Sequence, residues 1–150
     1  MILYVDTSAL VKLYVEEKGS ALVRHLVDEA VLVATSRIAY AEARAALART
    51  WREGALSEED YHQSTIHLRA DWEAYFTLDL AESVVQVAGD LAERHRIRGL
   101  DAIHLASSLT LSRRVRDPIT FACWDTRLWN AAQEEGFDMI PQELPTPGDD

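Results

Sequence analysis

Short apolar runs alternate along this chain with longer segments in which apolar residues recur every three or four positions, the two periods of buried strands and amphipathic helices. Ile2–Val5 is rich in strand formers and ends at Asp6, which suits a buried parallel strand. Thr7 or Ser8 then stands where a cap is expected for a helix from about Ala9. Ser20–Glu29 carries Leu22, Val23, Leu26 and Val27 along one side and reads as a second helix, followed by a strand over 31–34 with Thr35-Ser36 as the next cap. Residues 37–51 form an alanine-rich helical stretch with Gly54 just beyond its end. Ser57-Glu58-Glu59-Asp60 opens a helix reaching about Tyr75.

Phe76–Leu78 follows as a short strand, and 81–95 as a helix with Val84, Val85, Val87, Ala88, Leu91 and Ala92 on its apolar side. Asp101 opens one more helix, to about Arg114, before Pro118. Ile119–Ala122 reads as a strand, 125–135 as a helix and 137–140 as a last strand. The alternation predicts an α/β domain whose parallel sheet is covered on both faces, with any ligand outside the carboxyl ends of the strands. Residues 1–140 make one domain. The tail 141–150, with three prolines and two terminal aspartates, is expected to be extended or frayed.

A chain of 150 residues is long enough for a core that buries roughly 70% of the unfolded surface, so folding needs no metal or disulfide. The single cysteine, Cys123, argues for a reducing, cytoplasmic setting. No apolar stretch approaches the roughly 18 residues of a membrane span, and the opening run stops at Asp6, which argues against a signal peptide. The net charge of −10 excludes a broad basic face for nucleic acid. Clustered acids that hold a divalent cation would change the local field met by a phosphate. Arginines do gather beside two of the acids: Arg94, Arg96 and Arg98 before Asp101, and Arg37, Arg44, Arg49 and Arg52 around Glu42.

Asp6 and Asp125 both follow strands, so both can project from one carboxyl edge, although either could simply cap a helix. Glu42 falls by helical spacing beside Ile38, Ala45 and Ala46, within an apolar stripe. A carboxylate there is costly unless Arg49 or a neighbouring arginine neutralises it or it reaches a metal at the edge of the core. Asp101, after Gly99, sits at a helix start, where capping alone would also account for it. His104 lies one turn later and reads as a satisfied core histidine. Four converging acids repel one another, and Mg²⁺ or Mn²⁺, which prefer carboxylate oxygens, would relieve this. Such an ion can orient a phosphodiester, generate a hydroxide nucleophile and neutralise the leaving oxygen. No histidine or cysteine spacing suggests zinc.

Four segments, 3–12 around Asp6, 39–44 around Glu42, 100–106 around Asp101 and 121–128 around Asp125, together resemble the acidic motifs of PIN-domain toxins of the VapC type. Leu3-Tyr4-Val5-Asp6-Thr7-Ser8-Ala9-Leu10-Val11-Lys12 is similar to the opening motif, Ala39-Tyr40-Ala41-Glu42-Ala43-Arg44 to the second and Leu100-Asp101-Ala102-Ile103-His104-Leu105-Ala106 to the third. Phe121-Ala122-Cys123-Trp124-Asp125-Thr126-Arg127-Leu128 resembles the fourth, with Trp124 bulky where such sequences often carry a small residue. The resemblance spans nearly the whole chain. It implies a PIN fold, a Rossmann-like three-layer α/β/α domain with a mostly parallel central sheet. It further implies an endoribonuclease dependent on Mg²⁺ or Mn²⁺, with Asp6, Glu42, Asp101 and Asp125 as the catalytic and metal-holding acids. Ser8 or Thr7 would be a hydroxyl supporting the metal shell. The implied partners are an RNA substrate, a cognate antitoxin and a second copy in a homodimer, or a larger toxin–antitoxin assembly, with no membrane.

Other acidic Mg²⁺ pockets fit less well. A receiver-type phosphoacceptor would need paired acids at the first strand and a late lysine, whereas Asp6 has no acidic neighbour and both lysines precede residue 20. A haloacid-dehalogenase-like phosphatase would want Asp where Ser8 stands. The alternatives are a PIN-like scaffold that binds RNA or protein without cutting, or a housekeeping PIN nuclease without an antitoxin. A silent scaffold normally lacks one or more of the acids, and all four are present.

Overall fold

The structure, a computed structural model, describes residues 1–147. Its centre is β1 (Ile2–Val5), a strand buried at every position. β1 pairs in parallel with β2 (Leu32–Ser36) on one side and β4 (Ile119–Ala122) on the other. β3 (Phe76–Leu78) extends the sheet beyond β2, and β5 (Asp138–Ile140) extends it beyond β4, again in parallel. The order is therefore β3-β2-β1-β4-β5. From β1 the chain steps outward to β2 and β3, then crosses to build β4 and β5 on the opposite side. The gap beyond the carboxyl ends of β1 and β4 is the place where such a sheet opens a crevice.

Strand alternation sends side chains to two separate cores, giving three layers. Ile2, Tyr4, Ile119 and Phe121 face α5 (Glu82–His95), α6 (Gly99–Ser112) and α7 (Thr126–Glu134). Leu3 and Val5 face α1 (Thr7–Val11), α2 (Ser20–Glu29), α3 (Ala39–Arg52) and α4 (Glu58–Trp72). The α/β reading holds, and the sheet is parallel throughout.

The element boundaries depart from the sequence pattern in informative places. β2 runs to Ser36, so Thr35 and Ser36 are buried strand residues and not caps. Thr35 Oγ1 donates to the Val5 carbonyl at 2.7 Å, and both residues pair onward with β3, which outweighs their preference for helix starts. α1 begins at Thr7, with Asp6 as its cap in place of Thr7 or Ser8. α6 begins at Gly99, so Asp101 lies in its first turn and caps nothing. In the segment after β5, Pro141 accepts a hydrogen bond from Trp129 Nε1 at 2.8 Å and Pro145 is buried; the end of the expected frayed tail, 148–150, lies outside the described residues.

Candidate active site

Asp6 is fixed where β1 ends. Its N–H donates to the Ala122 carbonyl of β4 at 3.2 Å, and its Oδ1 accepts from the Ala9 N–H at 2.9 Å as the cap of α1. Ser8 Oγ donates to the same carboxylate, 2.7 Å from Oδ1 and 3.0 Å from Oδ2, and accepts the Trp124 N–H at 3.0 Å. One hydroxyl thus ties the end of β1 to the segment after β4. Burial raises the Asp6 carboxyl from its ordinary 3.8 to about 6, even though His104, the Ala9 N–H and Ser8 all pull it down.

The bulk of Trp124 has a local explanation. Its ring lies over Gly19, where a Cβ would meet the indole at 2.7 Å while φ is +92°, so only glycine fits there. On the ring sits the ammonium of fully buried Lys12, 4.8 Å from the centroid and 3.0 Å from Glu17 Oε1. The indole packs away from the crevice and leaves Asp125 free to cap α7 by accepting the Leu128 N–H at 2.9 Å.

Glu42 projects from the first turn of α3 and is held by a buried chain of polar groups. Its Oε1 accepts from Thr7 Oγ1 at 2.7 Å and from His104 Nε2 at 3.0 Å. On the far side of the ring, His104 Nδ1 lies 2.9 Å from the Tyr4 hydroxyl. With a proton on Nε2 the ring donates to Glu42, and Thr7 Oγ1 lies 3.1 Å from the same nitrogen. Burial acts to raise the Glu42 carboxyl, but the His104 and Thr7 hydrogen bonds with the charge of Arg98 outweigh it and hold the group below its ordinary value. Of the arginines that could neutralise it, Arg49 is not among its hydrogen-bond partners, and the one whose charge acts on it is Arg98. The hydrogen-bonding neighbour that matters, His104, comes from α6, sixty-two positions along the chain.

Asp101 and Asp125 face each other across the guanidinium of Arg98. Arg98 Nε donates to Asp101 Oδ2 at 3.1 Å and Nη2 to Asp125 Oδ2 at 3.3 Å. Burial and then the nearby Asp125 raise the Asp101 carboxyl, against the pull of Arg98. All four predicted acids, with Thr7, Ser8 and His104, line one cavity of about 420 Å³ at the switch between β1 and β4. Six carboxylates (Asp6, Glu17, Glu42, Glu53, Asp101, Asp125) and two guanidiniums (Arg49, Arg98) form its wall. As they stand, no three His, Cys, Asp or Glu side chains among the described residues gather closely enough to enclose a metal ion. The donor chemistry nonetheless fits a hard divalent cation: the acids present only oxygens, and Asp6 and Asp101 both carry raised pKa values that a cation would relieve.

Sequence reasoning misses two participants: Tyr4 reads as an ordinary strand residue, and Arg98 only as one of several arginines before Asp101. Thr7, expected as a cap or a hydroxyl beside the metal shell, instead donates to Glu42. The signal available for Tyr4 was a hydroxyl in an otherwise apolar strand, which needs a buried partner.

A family model described as the PIN domain matches residues 3–114, ending before Asp125. Ribonuclease VapC45 of Mycobacterium tuberculosis is 40% identical over 144 residues, covering 95% of this chain and 97% of the relative. Among solved structures, PAE2754 from Pyrobaculum aerophilum superposes with a TM-score of 0.67 at 18% identity, covering 96% of this chain and 93% of that one. A toxin–antitoxin complex from Klebsiella pneumoniae contains a chain with a TM-score of 0.58 at 15% identity, covering 83% and 87%. The chain belongs to the PIN-domain family, and within it to the VapC type.

Proposed function

We propose that this protein is an endoribonuclease dependent on Mg²⁺ or Mn²⁺ that acts as the toxin of a toxin–antitoxin pair. The observation that carries the reading is the acid-lined cavity at the switch between β1 and β4, in a chain 40% identical to a relative called a ribonuclease. Asp6, Glu42, Asp101 and Asp125 would hold the ion, with the Ser8 hydroxyl supporting Asp6 from behind. When bound, such an ion activates water, orients the phosphodiester and offsets charge on the leaving oxygen.

The chain's own groups prepare that chemistry. His104 and Thr7 keep Glu42 ionised and aimed at the cavity, so that it need not reorganise when substrate arrives. Ser8 and the Ala9 N–H fix the Asp6 carboxylate by holding both of its oxygens. Asp101 and Asp125 sit at the outer edge, where they meet solvent and the Arg98 guanidinium. Their negative charge would hold a cation, and a bound cation would supply the positive field that a phosphodiester needs at a protein of net charge −10.

The same reading includes an antitoxin that covers the cavity, self-association into a homodimer and a cytoplasmic setting. No helix among the described residues is long and apolar enough to cross a membrane. Leu10, Leu13, Tyr14 and Val15 are more apolar than one short helix needs for a single core face, but Leu10 is fully buried and the other three are partly buried against the α1–α4 core, so self-association would draw mainly on other apolar surface. Sedimentation at micromolar concentration tests the dimer, a stable monomer being the contrary result.

The activity is tested on purified protein freed of any partner. Structured RNA should be cut when Mg²⁺ or Mn²⁺ is present, leaving 5′-phosphate and 3′-hydroxyl ends, the products when water attacks phosphorus and the 3′ oxygen leaves. Cleavage undiminished in excess EDTA, or products ending in 2′,3′-cyclic phosphate, would contradict the proposal.

A further inference from the structure

Arg98 is the N-cap residue of α6, yet its side chain caps nothing. It turns instead to the acids, with 74% of its surface exposed, and spans Asp101 and Asp125 with two different nitrogens. Both carboxylates are far less exposed, at 16% and 26%. A single exposed cation thus covers two of the four acids at the mouth of the cavity. It also lies at the junction with a second, more apolar cavity of about 590 Å³ between α5 and α6, whose wall includes Val85, Leu100 and Ile103 as well as Glu42 and Asp101.

We propose that Arg98 is an exchangeable counter-cation: it pairs Asp101 with Asp125 until a divalent ion takes those oxygens, and the freed guanidinium then pairs with a phosphate of the RNA. The inference rests on the functional reading above and extends it to a residue outside the acidic set. An exposed arginine pair is weakly bound, because water screens it and the long side chain gains freedom on release. The guanidinium and a divalent ion cannot both take the same oxygens closely without repelling one another, so one must yield. A planar fork that has lost two carboxylates suits a phosphodiester, the other oxyanion it matches in a bidentate way. Arg98 would then be a substrate-contacting residue, silent in the metal-free protein.

The test is calorimetric titration of Mn²⁺ alone into the full chain, comparing wild type with Arg98→Met and Arg98→Lys. Because Arg98 is exposed, neither change should disturb the fold, and a circular dichroism melt checks this. Arg98→Met should bind Mn²⁺ about tenfold more tightly at low salt, since a competing charge has gone. Arg98→Lys keeps the charge without the fork and should fall between. The gap should narrow near 1 M salt, where screening shortens to about 3 Å. With Mn²⁺ saturating, Arg98→Met should raise KM for RNA several-fold and change kcat less, the mark of a lost ground-state contact. Equal or weaker Mn²⁺ binding by Arg98→Met overturns the exchange while leaving the metal reading standing. An unchanged KM overturns the phosphate contact. No Mn²⁺ binding by any of the three proteins overturns the metal reading and this inference with it.

Discussion

Asp6 with Glu42 and Asp101 with Asp125 line the same cavity, but the two pairs are held by opposite means. The inner pair is fixed by short-range bonds from buried or half-buried neighbours: Ser8, the Ala9 N–H, Thr7 and His104, with Tyr4 behind the ring. The outer pair is bridged by one exposed guanidinium. Buried polar networks are costly to break because each member left without a partner keeps its desolvation penalty. Exposed ion pairs cost little to open. One wall of the site is therefore preorganised and the other adjustable, as the proposed function would require of a cavity that admits a cation and an RNA strand.

The largest expected effect lies on activity. Asp6→Asn and Glu42→Gln should each lower the rate of RNA cleavage by about a thousandfold or more, equivalent to about 4 kcal/mol of transition-state stabilisation. Single-turnover assays on folded protein would show it. If Glu42→Gln retained full activity, the inner pair would be structural only.

Next comes a contrast in stability between the walls. His104→Ala removes the shared partner of Tyr4 and Glu42 and leaves a cavity, which should cost about 3 kcal/mol. The melting temperature should fall by roughly 6–12 °C. Arg98→Ala should change stability by less than about 1 kcal/mol. Equal losses from the two substitutions would erase the distinction drawn between them.

A smaller and pH-dependent effect belongs to Asp6. Its carboxyl is raised to about 6 in the folded, metal-free chain against an ordinary 3.8, so the native state binds a proton that the unfolded state has released. Stability from this group is present below about 4 and is lost as pH rises to about 6, by about 2–3 kcal/mol in all. Asp6→Asn, which still offers a cap, should flatten that slope and raise the metal-free melting temperature at pH 7. Guanidinium melts across pH 4–7 would check this. An identical slope in wild type and variant would mean that another group carries it.

How far the sequence reveals this site follows from the kind of contact involved. Asp6 and Asp125 are legible because Asp6 directly follows an apolar strand run and Asp125 follows one by three residues, and strand ends in a parallel sheet share an edge. Glu42 was legible as an acid in the wrong place on a helix. Its partner was not, because His104 reaches it across layers, through packing that no local pattern encodes. Asp101 looked like a cap because Gly99 precedes it closely, yet the helix starts two residues earlier and leaves the carboxylate free for Arg98. Thr35 and Ser36 misled in the same way, since strand pairing with β3 overrode a local preference.

The measurement that bears most directly on the acid cavity as a nuclease site is RNA cleavage by Asp101→Asn in saturating Mn²⁺, alongside its melting temperature with and without the ion. The substitution removes one charge with little change of shape, and Asp101 caps no helix, so the metal-free protein should melt no lower than wild type. A cation at about 100 times its dissociation constant stabilises the fold by about 2.7 kcal/mol, which should move the wild-type midpoint by several degrees. The predicted result is that this Mn²⁺ shift shrinks in Asp101→Asn while cleavage disappears. Cleavage and Mn²⁺ shift both equal to wild type would contradict the account.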